Sequence, residues 1–185
     1  MRRREPIAVA DIAGLRWCDP VSWVVAAALT LMAKDRGDVT FVQTSMYYPV
    51  TDATMDTDSY DEFAEGYYLT RKAMEWFWDA YTTNPAERAE IYASPNQATP
   101  EQLQGLPPTL LLVDEVDPLR DEGEAYAAKL RAAGVPVTTV RYDGVVHDFM
   151  LLNAMSESRA TRAAIAQATA HLRAALGTGE GPNGG

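Results

Sequence analysis

Residues 109–149 read TLLLVDEVDPLRDEGEAYAAKLRAAGVPVTTVRYDGVVHDF, and this stretch decides the fold. Thr109 to Val113 is an unbroken apolar strand of the kind a parallel sheet covers on both faces. Asp121 and Glu122 open a helix whose last turn carries Lys129 and Arg131, so charge opposes the helix dipole at both ends, and Gly134 stops it. Asp121 reads as the cap of that helix. Val135 to Tyr142 reads as the next strand, with Pro136 tolerable only near its start.

Working outward, Ile7 to Ala10 reads as a short buried strand and Val24 to Lys34 as an Ala-rich helix closed by Gly37. Val39 to Val50 is β-rich and ends at Pro49, while Thr51 to Tyr60 is polar and acidic and reads as loop. Thr70 caps a helix with Met74, Phe77, Trp78 and Tyr81 on one face, stopped by Asn84-Pro85. Ser94 to Pro108 reads as a connection with one short helical turn. Ser156 begins the last helix, with Ile165, Ala168, Leu172 and Ala175 on one stripe. This order predicts an α/β fold, a parallel sheet with helices on both faces. Residues 1–176 form the folded part, and residues 177–185, five of nine being glycine, a flexible tail.

Composition narrows the function. Of 185 residues, 26 are acidic and 16 basic, a net charge of −10 that argues against wrapping a phosphate backbone, so no nucleic-acid partner is expected. One cysteine, Cys18, excludes an internal disulfide and a multi-Cys zinc site, and two histidines argue against a His-rich metal centre. No metal and no cofactor is therefore expected. The longest apolar stretch, Trp23 to Ala33, is broken by Thr30 and falls short of a membrane span. Arg2-Arg3-Arg4 before Ile7-Ala8-Val9-Ala10 imitates a signal peptide, but Asp11 and Arg16 interrupt it, and the cytoplasm is the default location.

In parallel sheets, catalytic groups gather at the carboxyl ends of the strands. Two loaded loops are expected there, Asp114 to Glu122 after the strand ending at Val113 and Asp143 to Phe149 after the strand ending at Tyr142. A carboxylate from one and an imidazole from the other can meet, the acid fixing the tautomer and leaving Nε2 free as a general base. Asp117 and His147 are the candidates. His171, in the middle of the last helix, reads as structural.

Gly105–Leu110, Asp117–Gly123, Leu130–Val137 and Gly144–Phe149, together with Tyr48–Asp52, Gly66–Thr70 and Trp76–Trp78, resemble the hormone-sensitive lipase family of α/β-hydrolases over residues 24–176. The resemblance implies a Ser-His-Asp carboxylic ester hydrolase acting on a small acyl ester, with Asp117 as the acid and His147 as the base. The family usually has glycine after the histidine; Asp148 stands there in this chain. It also implies a G-D-S-x-G-G nucleophile elbow ahead of both residues. No G-x-S-x-G occurs. Alignment from Ile7–Ala10 puts Ile12 at the serine position, and alignment back from Ala26-Ala27-Ala28 puts Pro20 there. Ser22 reads as a helix-entry serine and Cys18 as an unactivated thiol.

The chain thus reads as a partial α/β-hydrolase fold with its amino-terminal half and H-G-G-G oxyanion loop missing, carrying two triad members. A catalytically dead pseudo-hydrolase, serving as a binding or assembly module, is the alternative. Helix-spaced Tyr67, Tyr68, Trp76, Phe77 and Trp78 serve either an acyl pocket or plain core. An uncovered sheet edge at Ile7–Ala10 predicts self-association.

Overall fold

The computed structural model describes residues 25–178. The expected strand Ile7–Ala10, both elbow alignments, Cys18, Ser22 and most of the glycine-rich tail lie outside them. The described elements are α1 (Val25–Arg36), β1 (Thr44–Tyr47), α2 (Asp58–Glu62), α3 (Arg71–Tyr81), α4 (Pro85–Arg88), α5 (Pro100–Leu103), β2 (Thr109–Val116), α6 (Arg120–Ala132), β3 (Val137–Val146) and α7 (Arg159–Leu176). The three strands form a parallel sheet in the order β1-β2-β3.

β2 is central and buried because its apolar run serves two cores at once. Leu111 and Val113 face Ala27 and Leu31 of α1 and Tyr126, Ala127 and Leu130 of α6. Leu110 and Leu112 face the other side, against Ala164 and Ala168 of α7 with Phe149. Helices therefore cover both faces, as the unbroken run requires. Each fully buried leucine contributes about 1.5–3 kcal/mol. A third cluster, including Val50, Tyr60, Met74, Trp78 and Leu119, lies under the long insertion between β1 and β2.

Several boundaries differ from the sequence reading, each for a tertiary reason. The β-rich stretch from Val39 to Val50 pairs only over Thr44–Tyr47. Thr44 stands opposite Thr109, the first residue of β2, which is preceded by Pro107-Pro108; prolines donate nothing to a ladder. At the other end Tyr48 takes φ 40°, and the chain leaves the sheet. The polar stretch from Thr51 to Tyr60 contains the start of α2, not loop alone, because Ser59 is bonded to the loop after β2. Ser94 to Pro108 contains two turns, a 3-10 turn at Pro95–Gln97 and the boxed turn α5 capped by Thr99.

Both main strands outrun their expected ends. β2 continues through Asp114 to Val116, and β3 starts at Val137 and runs to Val146. Register is regular from Thr109↔Val137 to Asp114↔Tyr142, then shifts so that Val116 opposes Val146. The extra residues of β3 bulge at Gly144, whose φ of 70° suits glycine and whose N–H donates to Glu115 Oε2 at 2.5 Å.

Helix α3 is capped by Thr70, as expected. Helix α7 begins at Arg159, where Ser158 Oγ accepts from Thr161 N–H, rather than at Ser156. Its buried face is Thr161, Ala164 and Ala168; Ile165 and Leu172 from the expected stripe are 46% and 51% exposed. Small residues let the helix sit close on Leu110 and Leu112, and the bulky residues turn outward. Among the described residues, no helix is long and apolar enough to cross a membrane.

Candidate active site

The site lies where β2 and β3 end. Immediately after β2, Asp117 Oδ1 accepts the Leu119 N–H at 2.9 Å, fixing the carboxylate at the entrance to α6. Immediately after the β3 bulge, His147 presents Nδ1 to Asp117 Oδ2 at 2.8 Å. Both side chains are only 1% exposed. The two residues singled out from the sequence are therefore in direct contact. Their encounter follows from adjacent parallel strands and from the bulge, which turns β3 before His147.

Burial by itself lowers the basicity of the imidazole, but the Asp117 charge and hydrogen bond, joined by the Asp148 charge, outweigh it and raise the pKa of His147. A ring held with Nδ1 on a carboxylate has its tautomer set, with Nε2 left as the nitrogen that can take a proton.

Of four neighbours of this pair, Tyr48, Asp114 and Glu122 were not identified as such from the sequence, whereas Asp148 was marked there as the residue standing in place of the family's glycine. Tyr48 packs edge-on against His147 with ring centroids 5.0 Å apart, and does so from its positive-φ position at the end of β1. Asp148 also has positive φ, 65°, and brings Oδ1 to 3.7 Å from His147 Nε2. Two backbone conformations uncommon outside glycine thus flank one imidazole, and such strain clusters at functional sites. Asp114, read as loop, is in β2 and fully buried, with neither carboxyl oxygen hydrogen-bonded. Desolvation, then the charges of Asp117 and Asp148, push its pKa up to about 9, so it is a neutral acid at pH 7. Donor atoms of Asp114, Asp117 and His147 fall within 4.8 Å of one another. The short Nδ1–Oδ2 bond makes this a hydrogen-bonded dyad beside a third carboxyl, and we assign no metal to it.

The fourth neighbour, Glu122, holds the walls together. Its Oε1 accepts from the N–H groups of Thr51 at 2.5 Å and Asp52 at 3.2 Å. Asn96 Nδ2 ties the same segment by donating to Thr51 Oγ1 and to the Glu122 carbonyl, both at 2.9 Å. Asp121 is not the cap of α6, whose capping position is Leu119; its Oδ2 instead accepts from Ser59 N–H at 2.8 Å. Ser59 Oγ donates to Pro118 O at 2.6 Å. Acids at the start of α6 thus clamp residues 48–60 onto the Asp117 loop. Gly123 belongs to the same contact, since a Cβ there would lie 2.9 Å from Val113 Cγ1. A sequence cue existed for these residues, since Asp121, Glu122 and Glu124 stand within four consecutive positions, but spacing alone does not reveal a partner seventy residues away.

Of the aromatic set, Trp78 is buried in the core of the insertion, while Tyr67, Tyr68 and Trp76 are exposed. His171 sits in α7, away from the dyad in chain and element.

Comparison with known proteins bears on the fold and the family. A family model described as alpha/beta hydrolase fold matches residues 24–151. An ethyl acetate hydrolase of Pseudomonas putida is 40% identical over 112 residues, covering 60% of this chain and 35% of the relative. A carboxylic ester hydrolase of Mycobacterium tuberculosis is 36% identical over 155 residues, covering 80% of this chain and 41% of the relative. The crystal structure of a thermostable esterase from Pseudomonas putida superposes with a TM-score of 0.83 at 51% identity, over 84% of this chain and 49% of that one. The chain spans about half the length, or less, of these relatives. With its parallel sheet, its two-sided helix cover and these relatives, the chain belongs to the α/β-hydrolase family and is similar to esterases of the hormone-sensitive lipase type.

Proposed function

We propose that this chain supplies the acid and base of a serine-type carboxylic ester hydrolase, with Asp117 orienting His147 and His147 acting first as general base and then as general acid. The observation that carries the reading is the 2.8 Å Nδ1–Oδ2 bond between two buried side chains at adjacent strand ends. In such a reaction a serine hydroxyl attacks the carbonyl of a small acyl ester while Nε2 takes its proton; the proton then passes to the leaving alcohol, and a water molecule repeats the sequence on the acyl-enzyme.

A second reading, a binding or assembly module without catalysis, is favoured by one observation, that the sequence holds no G-x-S-x-G. Two assays separate them. Alone, the chain should hydrolyse p-nitrophenyl acetate no faster than its His147→Ala variant, because a dyad without a nucleophile and oxyanion donors has no tetrahedral intermediate to stabilise. Turnover that disappears on mutating Ser22 would instead make Ser22 the nucleophile. A chimera placing the corresponding amino-terminal segment of the Pseudomonas putida esterase before residue 24 should hydrolyse the ester and lose about 10⁴-fold or more in kcat on His147→Ala. A folded chimera that is inactive, or indifferent to that substitution, leaves the binding-module reading standing.

Self-association belongs to the same proposal. Among the described residues, β1 and β3 each pair with β2 alone, and Ile165, Leu172 and Leu176 of α7 are about half exposed. Open strand edges and apolar patches recruit further chains. Light scattering after size exclusion should show species above the 20.3 kDa monomer; a sharp monomer peak with cooperative melting would refute this.

A further inference from the structure

We infer that Asp148 is a positioning residue, a second carboxylate held against the Nε2 side of His147 so that the ring is gripped between two acids. It rests on the reading of His147 as the base. Asp117 takes Nδ1 at 2.8 Å, and Asp148 Oδ1 stands 3.7 Å from Nε2, beyond a hydrogen bond but within ion-pair distance. The side chain reaches this place because Asp148 adopts φ 65°, folding it back over the preceding ring. Asparagine and glycine adopt that backbone conformation at least as readily, so the turn itself does not call for a charge.

The charge has a consequence of its own. Among the described residues, the groups facing His147 include Asp117 from the loop entering α6, Asp114 from β2, Tyr48 from the end of β1, and Asp148 from its own turn. Asp114 is a neutral acid at pH 7, and so is the Tyr48 phenol, whose burial raises its pKa further. Among these four, Asp117 and Asp148 are therefore the groups that favour a positive imidazolium, one at each nitrogen. Nε2 is the nitrogen that must receive the nucleophile's proton. A carboxylate beside it raises the basicity of the ring and favours the protonated resting state.

The test needs no turnover. Histidine labelled with ¹³C and ¹⁵N in the full chain gives two resonance sets, His147 and His171, and a His171→Gln variant assigns them. Titration in solution, or by magic-angle spinning for an assembled chain, should show the His147 midpoint falling by about one pH unit in both Asp148→Asn and Asp148→Gly. Above the His147 midpoint both variants should keep the parent melting temperature, since both residues suit the left-handed turn, whereas below it they should melt lower, as the lost carboxylate–imidazolium attraction requires. Asp117→Asn should lower the midpoint as well. A His147 midpoint unmoved by either Asp148 variant overturns the inference, as does a loss of stability with the midpoint unchanged, which would reduce Asp148 to a turn residue. If Asp117→Asn still moves the midpoint in that case, the dyad stands and only the role of Asp148 falls. Absence of ester hydrolysis bears on the proposed function and leaves this result untouched.

Discussion

Asp114→Asn should melt at a higher temperature than the parent chain at pH 8.5, with the gap closing by pH 5. Asp114 is fully buried with unbonded carboxyl oxygens, and desolvation with the nearby Asp117 and Asp148 charges lifts its pKa from 3.8 to about 9. Between those values the unfolded chain carries this group ionised while the fold keeps it protonated. The fold then binds more protons than the unfolded chain, and stability falls as pH rises through the window. Glu122 acts in the same direction, its pKa raised from 4.5 to about 8 chiefly by burial. So does His147, whose raised pKa gives stability that is lost as pH climbs through its folded value. Asp121 opposes them only at low pH: its lowered pKa, set by bonds from Arg120 and Ser59 that outweigh its burial, gives stability lost as pH falls below the ordinary carboxylate range. Maximum stability is thus expected near about pH 5.

An amide matches a neutral acid in shape, so the substitution removes the ionisation without opening a cavity. The difference between parent and variant should grow by about 2–4 kcal/mol from pH 5 to 8.5, allowing for relaxation around the charge. That corresponds to roughly 5–10 °C for a chain of this size. Melts at fixed protein concentration decide it, because association shifts the midpoint as well. Parallel pH profiles for parent and variant would show that Asp114 ionises in the fold without penalty.

The second large effect is expected at Glu122. Glu122→Ala leaves the buried Thr51 N–H and the neighbouring Asp52 N–H without their acceptor and opens a hole at the start of α6. Each orphaned buried donor costs about 1–3 kcal/mol, and the cavity adds to it, for a loss of roughly 3–5 kcal/mol. Glu122→Gln keeps a carbonyl oxygen where Oε1 stands and should cost under about 1.5 kcal/mol. The two are told apart by thermal melting and by hydrogen exchange at Thr51 and Asp52, whose amides should lose protection only in the alanine variant. Tyr48 lies three residues before Thr51, so the alanine variant should also loosen the ring that packs on His147. Equal losses in both variants would mean that acceptance at the Oε1 position is not what holds the segment.

Local chemistry written into the sequence determined much of this protein. The unbroken run Thr109–Val113 dictated a strand covered on both faces, and β2 serves two cores. The charge order along Asp121–Arg131 with Gly134 set the course of α6, and Thr70 set the start of α3. Asp117 and His147 stood out because they follow successive strands. What tertiary structure alone decided are the features that depend on partners distant in the chain. Strand ends moved because pairing stops at Pro107-Pro108 and resumes across a bulge at Gly144, neither of which period or propensity encodes. The buried face of α7 fell on Ala164 and Ala168 because close approach to Leu110 and Leu112 favours small side chains over the bulkier Ile165. Asp121 and Glu122 turned from helix openers into clamps once residues 51–59 reached them. Asp114 became a neighbour of the imidazole only when β2 and the bulge brought it there, and Asp148, adjacent in sequence, came to face Nε2 through a left-handed turn. Spacing along a chain fixes which groups share a strand end or a helix face, but burial and charge proximity arise only where separate segments meet.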